Sequence, residues 1–216
     1  MTDFTLFDML RGLWGGLQWT LGLSLLAFVL GGTMGLLILF ARMSGSVTLR
    51  TFAKVYIELF QGTPLLMQLF MLFFGISLMG LDISPLLAAA LGLTLFTSAF
   101  LAEIWRGCVQ SIPEGQWEAT DSLAFSYWEQ MRYVILPQAF RIAIPPTVGF
   151  SVQVVKGTSV ASIIGFAELT KTGTMIANAT FDPFTVFGLV ALGYFALCWP
   201  LSLFARRLEG GARVTR

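Results

Sequence analysis

The 216 residues contain no histidine. The commonest metal ligand, and the one side chain that titrates near neutral pH unaided, are therefore both missing. Charge is scarce too. Asp, Glu, Lys and Arg make up 12% of the chain, about half the roughly 25% of soluble domains. So little polar side chain cannot cover a water-exposed globule, which excludes an ordinary soluble domain. The formal net charge is +1, so no global field favours nucleic acid. The two cysteines, Cys108 and Cys198, sit in or beside apolar runs. They read as small core hydrophobes rather than a disulfide. A Gly-x-x-x-x-Gly-Lys-[Ser/Thr] phosphate loop is also lacking. Lys156-Gly-Thr-Ser has a superficial likeness to its end but lacks the upstream glycines. No metal site and no ATP site are expected in this chain. Nor does the start read as a cleavable signal peptide, because Asp3 and Asp8 precede the first apolar run and that run is too long.

What fills the chain instead is apolar. Hydrophobic residues make up 56%, and the mean hydropathy is +0.79. A spanning helix needs about 20 apolar residues. The stretches 12–41, 59–81, 83–102 and 183–205 are free of charge, and 142–167 carries only Lys156. The expected fold is all-α, one domain over 1–216, with five spans near 15–41, 59–81, 84–106, 142–166 and 184–205. Basic residues set the orientation. Arg42, Arg50 and Lys54, then Arg106, Arg132 and Arg141, then Arg206, Arg207, Arg213 and Arg216 share one side of such a five-span chain. The other side holds only Arg11 and Lys171 with several acids. The N-terminus is then outside and the C-terminus cytoplasmic. Gly12-x-x-x-Gly16 and Gly31-x-x-x-Gly35 in the first span have the spacing for close helix approach.

One polar insert, 111–137, interrupts this pattern on the basic side. It carries helix punctuation. Ser111-Ile-Pro-Glu114 and Ser126-Tyr-Trp-Glu129 both read as capping boxes. Pro137 is expected to close the second segment, since the residue before a proline is pushed off helical angles. Two short helices should therefore meet near Ala124-Phe125-Ser126. The first presents Trp117, Leu123 and Phe125 beside Glu114, Glu118 and Asp121. A helix lying on lipid headgroups is one reading. It expects a basic polar face, and 111–131 contain neither Lys nor Arg. An acidic face is repelled by the anionic cytoplasmic leaflet. Docking into a groove of a soluble protein fits better.

At these residues the sequence resembles the bacterial ABC-importer permeases. Their cytoplasmic signature runs Glu-Ala-Ala, three residues, Gly, nine residues, Ile, one residue, Leu-Pro. Here Glu118-Ala119-Thr120, Ala124, Val134 and Leu136-Pro137 stand at that spacing. Thr120 replaces an alanine, Val134 an isoleucine, and Ala124 the glycine. Tyr56-Ile-Glu-Leu-Phe-Gln-Gly-Thr-Pro-Leu-Leu, Ala102-Glu-Ile-Trp-Arg-Gly, and Lys156-Gly-Thr-Ser with Ile164-Gly-Phe-Ala-Glu-Leu-Thr resemble the polar amino acid branch. The likeness covers most of 12–208. It implies a type I importer permease fold of five to six spans in the bacterial inner membrane, paired with a second permease chain, identical or homologous. It also implies a cytoplasmic ATPase dimer, which binds the ATP and Mg, and an extracytoplasmic solute-binding protein. The insert would be the coupling helix that enters a cleft of the ATPase, with Gly115, Trp117, Glu118, Ala119, Thr120, Asp121, Leu123 and Ala124 at or near the contact.

Ionisable residues inside a membrane are costly and are functional candidates by default. Lys156 is the clearest, flanked by Gln153, Gly157, Thr158 and Ser159. It either lines the pathway or pairs with an acid such as Glu103. Glu58, Gln61 and Thr63 lie at the start of the second expected span, and Gln68 within it. Glu103 and Arg106 are spaced to pair on one helix face. These residues are the pathway candidates. A gradient-driven carrier or channel for a small polar solute is the alternative function. It needs no ATPase-docking loop, and carriers usually show inverted repeats. An intramembrane enzyme lacks a convincing nucleophile–base pair here.

Overall fold

The computed structural model describes residues 5–214, and no strand occurs among them. The helices run in order α1 (Leu6–Met43), α2 (Val47–Gly62), α3 (Leu65–Phe70), a π-helical turn (Met71–Gly75), α4 (Ile76–Leu78), α5 (Pro85–Gln110) and α6 (Glu114–Ser122). Then come α7 (Tyr127–Glu129), a second π-helical stretch (Gln130–Ile135), α8 (Leu136–Gly157), a 3₁₀ turn (Thr158–Ser162), α9 (Leu169–Thr180) and α10 (Pro183–Val214). Among the described residues, three helices are long and apolar enough to cross a membrane, namely α1, α5 and most of α10, and the bent pair Val47–Gly62 with Leu65–Leu78 makes a fourth if it is one span. Many of their large apolar side chains point outward, Phe184 at 93% exposure among them. That is the pattern of helices solvated by lipid rather than water.

α1 is the spine. It packs along α5 and, nearer its start, on α9. Glycine makes both approaches possible. A Cβ on Gly31 would stand 2.6 Å from the Thr97 Cβ, and one on Gly16 would stand 2.8 Å from the Thr172 hydroxyl. Leu23, Ala27, Leu69, Leu93, Phe150 and Val154 belong to the core that joins α1, α3, α5 and α8.

Two expected segment boundaries are corrected. The apolar run 59–81 is not one straight helix. Thr63 and Pro64 are extended, and the chain turns through 104° between α2 and the segment Leu65–Leu78. Proline cannot donate a helical hydrogen bond and drives the preceding residue to extended angles. Gln68 bridges the corner. Its amide nitrogen donates to the Phe60 and Thr63 carbonyls at 2.9 and 3.0 Å, capping the open end of α2. The second correction concerns 142–166. α8 starts earlier, at Leu136, and ends at Gly157, where the chain tightens into the 3₁₀ turn. Its 22 residues reach about 33 Å at 1.5 Å each. Gln138, Arg141, Pro145, Pro146, Gln153 and Lys156 keep it less apolar than the three long helices.

Pro137 does not close the second segment of the insert. Helix continues through it, with Leu136 at φ −63°, ψ −40°. The preceding π-helical stretch accommodates the proline. The Leu136 amide reaches back five residues to the Met131 carbonyl, a wider turn than α. The insert is therefore one short helix followed by the foot of α8.

Candidate functional site

The loop is held rigidly at its base. Val109, Ile112, Met131, Ile135 and Ala139 form a buried cluster, with Trp117, Val134 and Leu136 packed against it. Trp117 thus faces inward, against the expectation that it is presented outward. Gln130 is buried and donates to the Asp121 carboxylate, strapping α6 to the foot of α8. Gln138 donates to Gln116 at 3.1 Å across the same seam. The Ser111 capping box is absent. α6 begins after Pro113 with no side-chain cap, and the Ser111 hydroxyl donates back to the Cys108 carbonyl at 2.8 Å. The Ser126 box does form. The Ser126 amide and hydroxyl both donate to Glu129, at 2.8 and 2.7 Å. These bonds hold the Glu129 carboxyl below the usual carboxylate range. The cap is therefore complete above about pH 4.3 and is lost as pH falls through the lowered value.

The turn after α6 explains the signature's glycine. Ala124 sits at φ 56°. Its amide donates to the Asp121 carbonyl at 2.9 Å, and the Phe125 amide donates to the Thr120 carbonyl at 3.1 Å. These bonds make a Schellman C-cap, whose αL position favours glycine. Alanine there carries about 1–2 kcal/mol of strain. Ala124→Gly gives back about 0.5–1 kcal/mol through the unfolded chain. The net gain expected is about 0.5–1 kcal/mol, read as slower amide exchange over residues 120–130.

Around this turn Gly115, Glu118, Ala119, Asp121, Leu123 and Ala124 are exposed, while Thr120 is buried and bonds the Trp117 carbonyl at 2.8 Å. The exposed apolar groups are Leu123, Tyr127 and Trp128, at 68%, 49% and 75%. Sequence reasoning did not single out Tyr127 and Trp128. The available signal was the Ser126 cap, which fixes them in the first turn of a helix whose buried side begins at Gln130.

The pathway candidates divide into two groups. Several serve the fold. Gln68 and Thr158 are buried, the first as the corner strap and the second donating to the Val155 carbonyl at 2.8 Å. Gln61 donates to the Ala99 carbonyl at 3.2 Å, and Thr63 to the Leu59 carbonyl at 2.7 Å. Glu58 pairs with Lys54 on an exposed face. Glu103 pairs with Arg106, its Oε2 accepting from Nε at 2.9 Å, which leaves Lys156 without that acid. Lys156 has no carboxylate within 4.0 Å among the described residues. It is exposed together with Gln153, one turn earlier on α8, while the half-buried Ser159 donates to the Lys156 carbonyl at 2.7 Å. Arg141 and Ile144, nearer the foot of the helix, are also exposed.

A buried polar cluster on the opposite side was not legible beforehand. Glu168 is fully buried at the N-cap of α9. Its Oε2 accepts from the Tyr194 hydroxyl at 2.6 Å and the Thr170 amide at 3.0 Å, and its Oε1 from the Lys171 amide at 2.8 Å. The Leu169 amide donates to Thr20 on α1 at 3.1 Å. The α9 terminus supplies the donors and a favourable dipole, so the cluster ties α1, α9 and α10 together. Tyr194→Phe removes the closest donor at a buried oxygen, a cost of about 1–3 kcal/mol. A fall in Tm of roughly 2–12 °C is expected in thermal unfolding. An unchanged Tm would remove the cluster from the account.

Comparison with known proteins matches this architecture along nearly the whole chain. The chain is 40% identical over 194 residues to the "Probable amino-acid ABC transporter permease protein YckA" of Bacillus subtilis (strain 168), covering 90% of this chain and 86% of that one. It is 38% identical over 196 residues to the "Glutamine transport system permease protein GlnP" of Escherichia coli (strain K12), covering 90% of each. The crystal structure of an amino acid ABC transporter with histidines superposes with a TM-score of 0.90 at 35% identity, over 96% of this chain and 99% of that one. The methionine transporter MetNI, at 21% identity and a TM-score of 0.70, shares the fold. Residues 15–214 match the family described as "Binding-protein-dependent transport system inner membrane component", and the chain belongs to that family of multi-pass inner-membrane permeases.

Proposed function

We propose that this chain is the permease subunit of an ATP-driven amino acid importer, coupled through the loop 111–137 to a separate ATPase. The observation that carries the reading is the loop itself. A chain otherwise built for lipid holds out one rigid, acidic, aromatic-bearing turn, and that turn has no covering surface of its own. Its apolar tips and carboxylates suit a groove on a soluble partner. Family membership supports a non-catalytic component of a binding-protein-dependent system; on this reading ATP and Mg are assigned to the ATPase dimer, and a solute-binding protein delivers the substrate.

The basic ends of the helices support an orientation with the loop and the C-terminus in the cytoplasm and the N-terminus outside. The open face of α8 bearing Gln153 and Lys156 is assigned to the seam with a second permease chain, identical or homologous, where the two enclose the pathway. Lys156 then supplies a cation for the carboxylate that every amino acid has. The carrier alternative finds no support in the family match. Co-purification tests the reading. The tagged permease should retain an ATPase whose hydrolysis rises when the loaded binding protein is added. A permease that purifies without any ATPase, and moves solute on an ion gradient alone, would overturn it.

A further inference from the structure

We propose that the basic pocket beneath the loop holds the phosphate of an anionic phospholipid headgroup. The pocket has a volume of about 320 Å³ and is lined by Arg42, Met43, Ser44, Arg50, Arg106 and Gln110. It lies where the end of α1, the first turn of α2 and the end of α5 converge. Three guanidinium groups border it, and only Arg106 has a carboxylate partner, Glu103. Arg42 and Arg50 have none within 4.0 Å among the described residues. Arg106 is held in place by Glu103 and Gln110, so its guanidinium is already oriented. Arginine binds phosphate oxygens through two parallel N–H donors, and a fixed fork loses little freedom in doing so.

Several features favour a lipid over free phosphate. The pocket sits at the ends of α1 and α5, both long enough to cross the membrane. Under the orientation given above, on which this inference rests, that is headgroup level on the cytoplasmic leaflet, where anionic lipid collects at basic pockets between helices. Exposed apolar side chains lie next to the cations. Val47, one turn before Arg50 on the same face of α2, is exposed, and so is Phe40, one turn before Met43 of the pocket lining. They offer a surface for acyl chains that inorganic phosphate would not use. The pocket also touches the coupling apparatus. Met43 packs against the cluster at the base of the loop, and Gln110 immediately precedes residue 111, where the loop begins. A headgroup there would steady the hinge between α5 and α6.

Short-chain phosphatidylglycerol, short-chain phosphatidylcholine and inorganic phosphate, each titrated into the complex purified in uncharged detergent, separate the possibilities. Native mass spectrometry and thermal unfolding give the readout. The wild type is expected to retain phosphatidylglycerol selectively. Arg50→Gln, on an exposed first turn, should weaken that binding by about fivefold, the factor one basic residue near an anionic surface contributes. Arg42→Gln with Arg50→Gln should weaken it by more than tenfold. Equal retention of the two lipids, or unchanged binding in Arg50→Gln, overturns the site. Inorganic phosphate producing the whole effect reassigns it to a free anion. Loss of the ATPase rather than of lipid from Arg50→Gln assigns the pocket to the partner subunit. Lipid binding in detergent needs neither ATP nor substrate, so its failure leaves the transport reading standing.

Discussion

Glu118→Lys is expected to lower ATP-driven uptake by about 10- to 100-fold while the permease remains folded. Glu118 is exposed on α6, within one turn of the exposed Asp121. The Glu118 carbonyl serves the helix by accepting from Ser122 at 2.9 Å, but the carboxylate has no protein partner among the described residues. Reversing it costs the fold little. It would place a cation where the partner surface meets a carboxylate, and like-charge juxtaposition at an interface costs several kcal/mol. Two measurements separate the effects: ATPase retained on the purified complex, and ATP hydrolysed per substrate imported. Either less ATPase or a raised ratio supports docking at this turn. Normal retention and a normal ratio would remove Glu118 from the contact.

Lys156→Met should leave assembly intact and cut uptake by roughly 10- to 150-fold. A hydrogen bond to a charged group contributes about 1.5–3 kcal/mol, which is that factor in rate. Methionine keeps the length and the apolar stem. The wild-type lysine is exposed on α8 and forms no ion pair among the described residues, so its removal strands no buried acid. A purely structural role predicts the opposite outcome, reduced membrane stability with rescue by removing an acid. Its proposed acid, Glu103, is already bonded to Arg106. Full uptake by Lys156→Met would end its role in the pathway.

How much of this could be read from the chain varies residue by residue. The loop was legible because its spacing and its missing basic charge are local properties of the sequence. The departure from the signature's glycine at Ala124 was legible too, but which backbone an alanine takes there was not; the structure puts φ at 56°. The corner at Thr63-Pro64 was written in the proline but masked by an unbroken apolar run, which satisfies the length rule whether or not the helix is straight. Helix through Pro137 was not legible, because the π-helical stretch that admits it is set by packing of Met131 and Ile135 into the loop cluster. Glu168 was least accessible. By sequence it is an acid after an apolar run. Its burial depends on Thr20 and Tyr194, brought from α1 and α10, and contacts between distant segments leave no local pattern.

The central claim, that this chain couples amino acid passage to ATP used elsewhere, is tested most directly in sealed proteoliposomes. They would hold the permease with its partner ATPase, ATP inside the lumen, and loaded binding protein outside in the orientation that exposes the N-terminal side. Labelled amino acid should accumulate only when ATP and binding protein are both present, and accumulation should collapse in the Glu118→Lys complex. Accumulation driven by an ion gradient without ATP, or undiminished in that variant, would contradict the account.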